Sequence, residues 1–283
     1  MRTAEQTIGV HGGRMLCISF GTGKRPLVAI PGLRLTEMAG TGTVAALYYR
    51  QFTSDYTVYL FDRTDPLPEP CTIRALAEDT AAAMMQLGLR DADVIGVSQG
   101  GMIAQELAVN HPELVRKLAL GVTLSRPNET VRAAVSTWIA MAKRGDMAAV
   151  ARDYAERASS DRTLRRNKTF LPLALKLQKL LPPERFFPLA EACLSCDTYD
   201  RLTQIRCPVL VLGGAQDKVV SGEASLEIAE KLGCEYLIYP DQSHEAYNEA
   251  KDFNKRIFDF FTADSENPQP ACAGQKGSSL CAH

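Results

Sequence analysis

Gly96-Val97-Ser98-Gln99-Gly100 sets a serine between two glycines at a point where an apolar strand must turn straight into a helix. Ahead of it, Asp91-Ala92-Asp93-Val94-Ile95 reads as a short buried strand. Behind it, Gly101 to Ala108 repeats apolar residues at helical spacing. A serine on so tight a turn is held in a strained backbone conformation. Its neighbours two positions away must lack side chains for helix and strand to pass each other. The hydroxyl then projects from the carboxyl edge of a sheet, above a helix N-terminus, where a nucleophile is well placed.

The rest of the chain repeats this strand-to-helix rhythm. Glu5 to Val10 and Arg14 to Phe20 flank a His11-Gly12-Gly13 turn and predict an antiparallel hairpin at a sheet edge. Leu27 to Ile30, Tyr56 to Phe61 and Leu118 to Val122 predict further strands, with helices over 42–52 and 73–87 between them. Apolar strand interiors that do not alternate point to a parallel sheet covered on both faces. From Ser125 to Arg206 the periodicity is helical only, over 129–143, 147–158, 163–181 and 183–194. Strands resume at Cys207 to Gly213 and Glu235 to Tyr239, each followed by a helix, the last over 245–261. The expected fold is α/β: a mostly parallel eight-stranded sheet with helices on both faces and an all-helical insertion after the sixth strand. Beyond Thr262 the composition falls to Ser, Gly, Pro, Gln and Ala, and 263–283 is read as a disordered tail.

Bulk properties narrow the function classes. Apolar residues make up 46% and charged residues 23% of 283, as in an ordinary globular protein. A net charge of −1 supplies no electrostatic case for nucleic acid. The Arg162, Arg165, Arg166, Lys168 run reads as a solvated helix face. No stretch has membrane-spanning length, and the N-terminus lacks a signal core. The eight cysteines are therefore expected as thiols in a cytoplasmic protein. Cys193-Leu194-Ser195-Cys196 lacks a second pair and a neighbouring histidine, so neither metal nor cofactor is expected. The expected partner is a small-molecule substrate, and the oligomeric state is open between monomer and homodimer.

A serine hydroxyl needs a base, and the base needs an acid to hold its tautomer. Only four histidines exist. His11 sits in the first turn and His283 ends the tail. His111 lies a helix length from Ser98, about 18 Å at standard rise. His244 instead follows the last strand, in Pro240-Asp241-Gln242-Ser243-His244, at the sheet edge where Ser98 emerges. Asp217, in Gly213-Gly214-Ala215-Gln216-Asp217, follows the preceding strand at that same edge, where functional groups of parallel sheets gather.

With Ser98, Asp217 and His244 in that order, the chain resembles the α/β-hydrolase family from about Thr7 to Thr262. The elbow, the helix end Asn110-His111-Pro112-Glu113 and the strand Arg206 to Gly213 carry the likeness too. The resemblance implies a core of residues 1–124 and 207–262 beneath a helical cap of residues 125–206. It implies an oxyanion hole from the backbone N–H of Gln99 and of Leu33, the latter following Pro31-Gly32 where the family has His-Gly. A second departure is Arg63-Thr64-Asp65-Pro66 after Asp62, in place of the usual Arg-Gly-x-Gly. Trp138, Met141, Phe170 and Phe186 of the cap, with Arg34 and Met38 of the oxyanion loop, are the candidate pocket residues; Arg34 could meet a substrate carboxylate or a surface acid. The expected function is a serine hydrolase that cleaves a small carboxylic ester, thioester or lactone through an acyl-enzyme on Ser98. The alternatives are a carbon–carbon bond hydrolase or perhydrolase on the same triad, or a non-catalytic small-ligand receptor.

Overall fold

The strands that carry unbroken apolar runs are the ones buried on both faces. In the computed structural model, which describes residues 2–167 and 179–263, β5 (Ala92–Val97) is buried at all six positions. β1 (Thr3–Val10) and β2 (Gly13–Gly21) form the edge hairpin, and β1 is largely exposed. With β3 (Arg25–Ile30), β4 (Tyr56–Phe61), β6 (Val115–Gly121), β7 (Val209–Gly214) and β8 (Glu235–Tyr239) they make one eight-stranded sheet. Its order is β1-β2-β4-β3-β5-β6-β7-β8. The β1–β2 and β2–β4 pairs are antiparallel and every later pair is parallel.

Helices cover both faces, as a sheet apolar on two sides requires. One core lies under α2 (Ile73–Gln86) and α3 (Gln99–Asn110), and continues under α8 (Gly222–Leu232). The other lies under α1 (Gly42–Tyr48) and α10 (Phe253–Thr262). Two of the helix starts are capped by side chains that the sequence places there: Thr72 accepts from the Ala75 N–H at 3.1 Å, and Asn128 from the Val131 N–H at 2.9 Å.

Between β6 and β7 the described residues hold α4 (Glu129–Lys143), α5 (Met147–Ala158), α6 (Asp161–Asn167) and α7 (Pro183–Cys193), then a 3₁₀ turn at Tyr199–Gln204. The helix expected over 163–181 lies mostly outside the described residues, as does the tail from 264. Two helices differ from expectation. The first ends at Tyr48 and continues to Phe52 as turns. The last is broken into α9 (Ala246–Glu249) and α10, with Ala250 extended at ψ 118° between them and the Tyr247 carbonyl accepting from the Tyr48 hydroxyl at 2.7 Å.

Candidate active site

The turn after β5 does what its glycines require. Ser98 adopts φ 53° and ψ −120°, a conformation that L-residues rarely populate. It is held there from three sides. Its N–H donates to the Gly121 carbonyl at 2.9 Å, and its carbonyl accepts from the Gly101 N–H at 2.8 Å and the Thr123 hydroxyl at 2.7 Å. A Cβ on Gly100 would sit 1.9 Å from the Ile30 carbonyl oxygen, and one on Gly96 2.5 Å from that of Gly100. Helix and strand are thus in backbone contact across the elbow.

The loops after β7 and β8 bring the other two groups to the same edge. His244 Nε2 lies 2.9 Å from Ser98 Oγ, and its Nδ1 lies 2.8 Å from Asp217 Oδ2. A carboxylate only accepts, so Nδ1 donates and Nε2 is left to accept from the serine hydroxyl. The second Asp217 oxygen accepts from the Val219 and Val220 N–H groups at 2.7 and 2.9 Å, which fixes the carboxylate plane. His244 and Asp217 side chains are 2% and 1% exposed. Burial disfavours the imidazolium, but the Asp217 charge and hydrogen bond, with Glu245 beside it, outweigh that and raise the His244 pKa. The other described histidines are engaged elsewhere: His11 with Asp79 at 2.8 Å, and His111 with Glu78 at 2.9 Å.

The Pro31–Leu33 loop packs against the serine. A Cβ on Gly32 would lie 3.2 Å from Ser98 Cβ. Among the described residues, no backbone carbonyl accepts from the Leu33 or Gln99 N–H. The cysteine pair offers nothing comparable. Burial pushes Cys193 up to about 11 and Cys196 up to about 12. No metal-ligating cluster exists among the described residues.

Ser98 and His244 open onto a cavity of about 600 Å³, whose wall is mostly aliphatic and aromatic. Leu33, Arg34 and Trp138 line it. The Arg34 guanidinium donates to the Thr36 and Glu37 carbonyls at 3.1 and 2.9 Å. Three residues expected in the pocket pack elsewhere. Met38 is fully buried in the core under α1, while Phe186 and Met141 serve the packing of the helices between β6 and β7. Long apolar side chains on helices fill inter-helix space first, and helical spacing does not say which neighbour they meet. Phe170 lies outside the described residues.

A polar corner of the cavity was not anticipated. Glu245 Oε1 accepts from the Tyr154 and Tyr247 hydroxyls at 2.8 and 2.9 Å, and Oε2 from the Asn248 amide. Burial raises both phenols well above 10, which keeps them donors. Tyr154 comes from α5, so only the adjacency of Glu245 to His244 was readable in advance.

Residues 27–256 match the family model described as the alpha/beta hydrolase family. The chain is 30% identical over 217 residues, 73% of its length and 84% of the other's, to the pimeloyl-[acyl-carrier protein] methyl ester esterase of Chromobacterium violaceum. It is 29% identical over 203 residues, 69% of its length and 76% of the other's, to the protein of Caulobacter sp. (strain K31) named "Putative carbamate hydrolase RutD". The enol-lactonase of Burkholderia xenovorans LB400 superimposes with a TM-score of 0.79 at 20% identity, covering 91% of this chain and all of that one. The chain belongs to the α/β-hydrolase family. Among its described residues, no helix is long and apolar enough to cross a membrane.

Proposed function

We propose that the protein is a serine esterase for small carboxylic esters, with thioesters and lactones in the same reaction class. The observation that carries the reading is the unbroken hydrogen-bond chain from Asp217 through His244 to Ser98, ending at a cavity. Ser98 Oγ bonds to the substrate carbonyl carbon as its proton passes to His244 Nε2. The carbonyl oxygen becomes an oxyanion that receives hydrogen bonds from the Leu33 and Gln99 N–H groups. Collapse expels the alcohol, which takes the proton from His244, and leaves the acyl group on Ser98. Water, deprotonated by His244, then attacks the acyl carbon and frees Ser98. Asp217 holds the imidazole tautomer and stabilises its charged form throughout.

In this reading residues 125–206 are a cap over the site, and the core comprises 1–124 and 207–262. Val131, Val135 and Trp138 from α4 face the cavity and favour an apolar acyl or alcohol group. The names of the relatives, a methyl ester esterase and a carbamate hydrolase, agree with chemistry at an acyl carbon. Six thiols free of disulfides among the described residues support a cytoplasmic setting.

A fluorophosphonate probe with peptide mapping tests the reading. The adduct is expected on Ser98 and absent from Ser98→Ala, whose kcat on p-nitrophenyl esters falls more than about 10⁴-fold. Labelling elsewhere, or full turnover by Ser98→Ala, would overturn it.

A further inference from the structure

The first residue after Asp62 carries a cation into the interior. Arg63 is 5% exposed. Its guanidinium donates to the Pro31 carbonyl at 2.7 Å and to the side-chain oxygen of Gln99 at 3.2 Å, neither of them a carboxylate. The adjacent Asp62 carboxylate accepts instead from the Arg63 main-chain N–H at 2.8 Å. Arg63 Nε is buried without an acceptor among the described residues. Burial, opposed by the charge of Asp62, pulls the Arg63 pKa down to about 10, so the group stays cationic at neutral pH. A buried cation without a directly paired acid is costly to a fold, so stability alone does not account for it.

The two acceptors explain its place. Pro31 lies two residues before Leu33, and Gln99 directly follows Ser98. One guanidinium therefore joins the two chain segments that carry the candidate oxyanion donors. The same network reaches α7. The Gln99 amide donates to the Leu189 carbonyl at 2.6 Å and to Cys193 Sγ at 3.3 Å. Arg185 of that helix donates to the Arg63 and Thr64 carbonyls at 3.0 and 3.2 Å. The elbow is fixed by backbone contacts, some of them to Pro31 and Gly32, and the Pro31–Leu33 loop has no strand or helix of its own.

We infer that Arg63 is a positioning residue for the oxyanion hole, its guanidinium setting the separation and aim of the Leu33 and Gln99 N–H groups. The inference rests on the proposed role of Ser98. A donor displaced from the oxyanion costs much of its transition-state effect while leaving ground-state binding in place. Lysine keeps the charge but not the planar fork, so it replaces arginine only in part.

The test compares wild type, Arg63→Met and Arg63→Lys, each normalised to its fluorophosphonate-reactive Ser98 content. Two quantities are read: kcat and KM on a p-nitrophenyl ester, and the affinity of phenylboronic acid, which forms a tetrahedral adduct with serine. In Arg63→Met, kcat and boronate affinity are expected to fall together by about 10²-fold, with KM within about twofold. Arg63→Lys is expected between the two, and it decides the matter alone if Arg63→Met does not fold. Wild-type kcat and boronate affinity in the folded variants would overturn the inference while leaving the Ser98 reading intact. A wild-type protein that does not label on Ser98 would overturn both.

Discussion

Two residues at the centre of the site, His244 and Ser98, are held away from their resting preferences, and each deviation has a measurable consequence. For His244, burial works against the charged ring, yet Asp217 and Glu245 leave its pKa above the ordinary 6.5. In the proposed mechanism the neutral ring is the reactive form. Activity, read as kcat/KM, is therefore expected to fall with decreasing pH through a midpoint above 6.5, and Glu245→Gln is expected to move that midpoint down. A profile unmoved by the substitution would show that Glu245 does not tune the base. The stability linkage runs the other way. Stabilisation from the protonated ring is present below the unfolded-state value and lost as pH rises through the folded one, so optimum activity and this contribution lie apart. For Ser98 the deviation is in the backbone, at φ 53°. Glycine relieves strain of about 1–3 kcal/mol but loosens the unfolded chain, so Ser98→Gly should be about 1 kcal/mol more stable than Ser98→Ala in denaturant titrations. Equal stabilities would mean the elbow is unstrained. At this scale the meeting of Ser98, Asp217 and His244 at one rim was legible, because each follows a strand at one sheet edge. The side-chain links of Arg63 and Gln99 were not, since their partners lie 32 and 90 residues away and no local pattern announces them.

Elements were legible where local pattern and tertiary packing agree. The central strands were readable from apolar runs, because a strand buried on both faces has no competing local solution. The last helix was not. Phe253, Ile257 and Phe261 are buried at helical spacing within α10, but the helix does not run back unbroken to 245. At the break the Tyr247 carbonyl, which a continuous helix would use internally, accepts from the Tyr48 hydroxyl. A residue 199 positions away is invisible to periodicity. The same distinction, local conformation against close approach, separates the glycines. Gly88, at the end of α2, has φ 68°, and a Cβ there would meet nothing within 4 Å. A Cβ on Gly100 would stand 1.9 Å from the Ile30 carbonyl oxygen. Gly88→Ala is expected to cost about 1–2 kcal/mol, for left-handed backbone alone. Gly100→Ala must force strand and helix apart, at about 3 kcal/mol or more, and should lose fluorophosphonate labelling as well. Equal thermal shifts in the two variants would contradict the backbone contact at the elbow.

The whole molecule sets what the chemistry can reach. Strand order places β5, β7 and β8 so that three loops converge at one rim, while the helices between β6 and β7 supply much of the wall facing them. The cavity of about 600 Å³ is far larger than an acetyl group needs, and its α4 side is Val131, Val135 and Trp138. Trp138 is anchored by its indole N–H to Asp153 at 2.7 Å and packs at 5.7 Å against Tyr154, so this wall is a fixed surface. Each methylene buried against such a wall contributes about 0.8 kcal/mol, close to fourfold in kcat/KM. Across p-nitrophenyl acetate, butyrate and hexanoate, kcat/KM should climb at roughly that slope per methylene until the wall is met. Val135→Phe fills part of the space, and is expected to shorten the preferred chain while leaving acetate turnover within about twofold. A flat chain-length profile in the wild type would mean that acyl groups do not occupy the α4 side. An optimum unmoved by Val135→Phe would place them elsewhere along the wall, toward the polar corner formed by Tyr154, Glu245 and Tyr247.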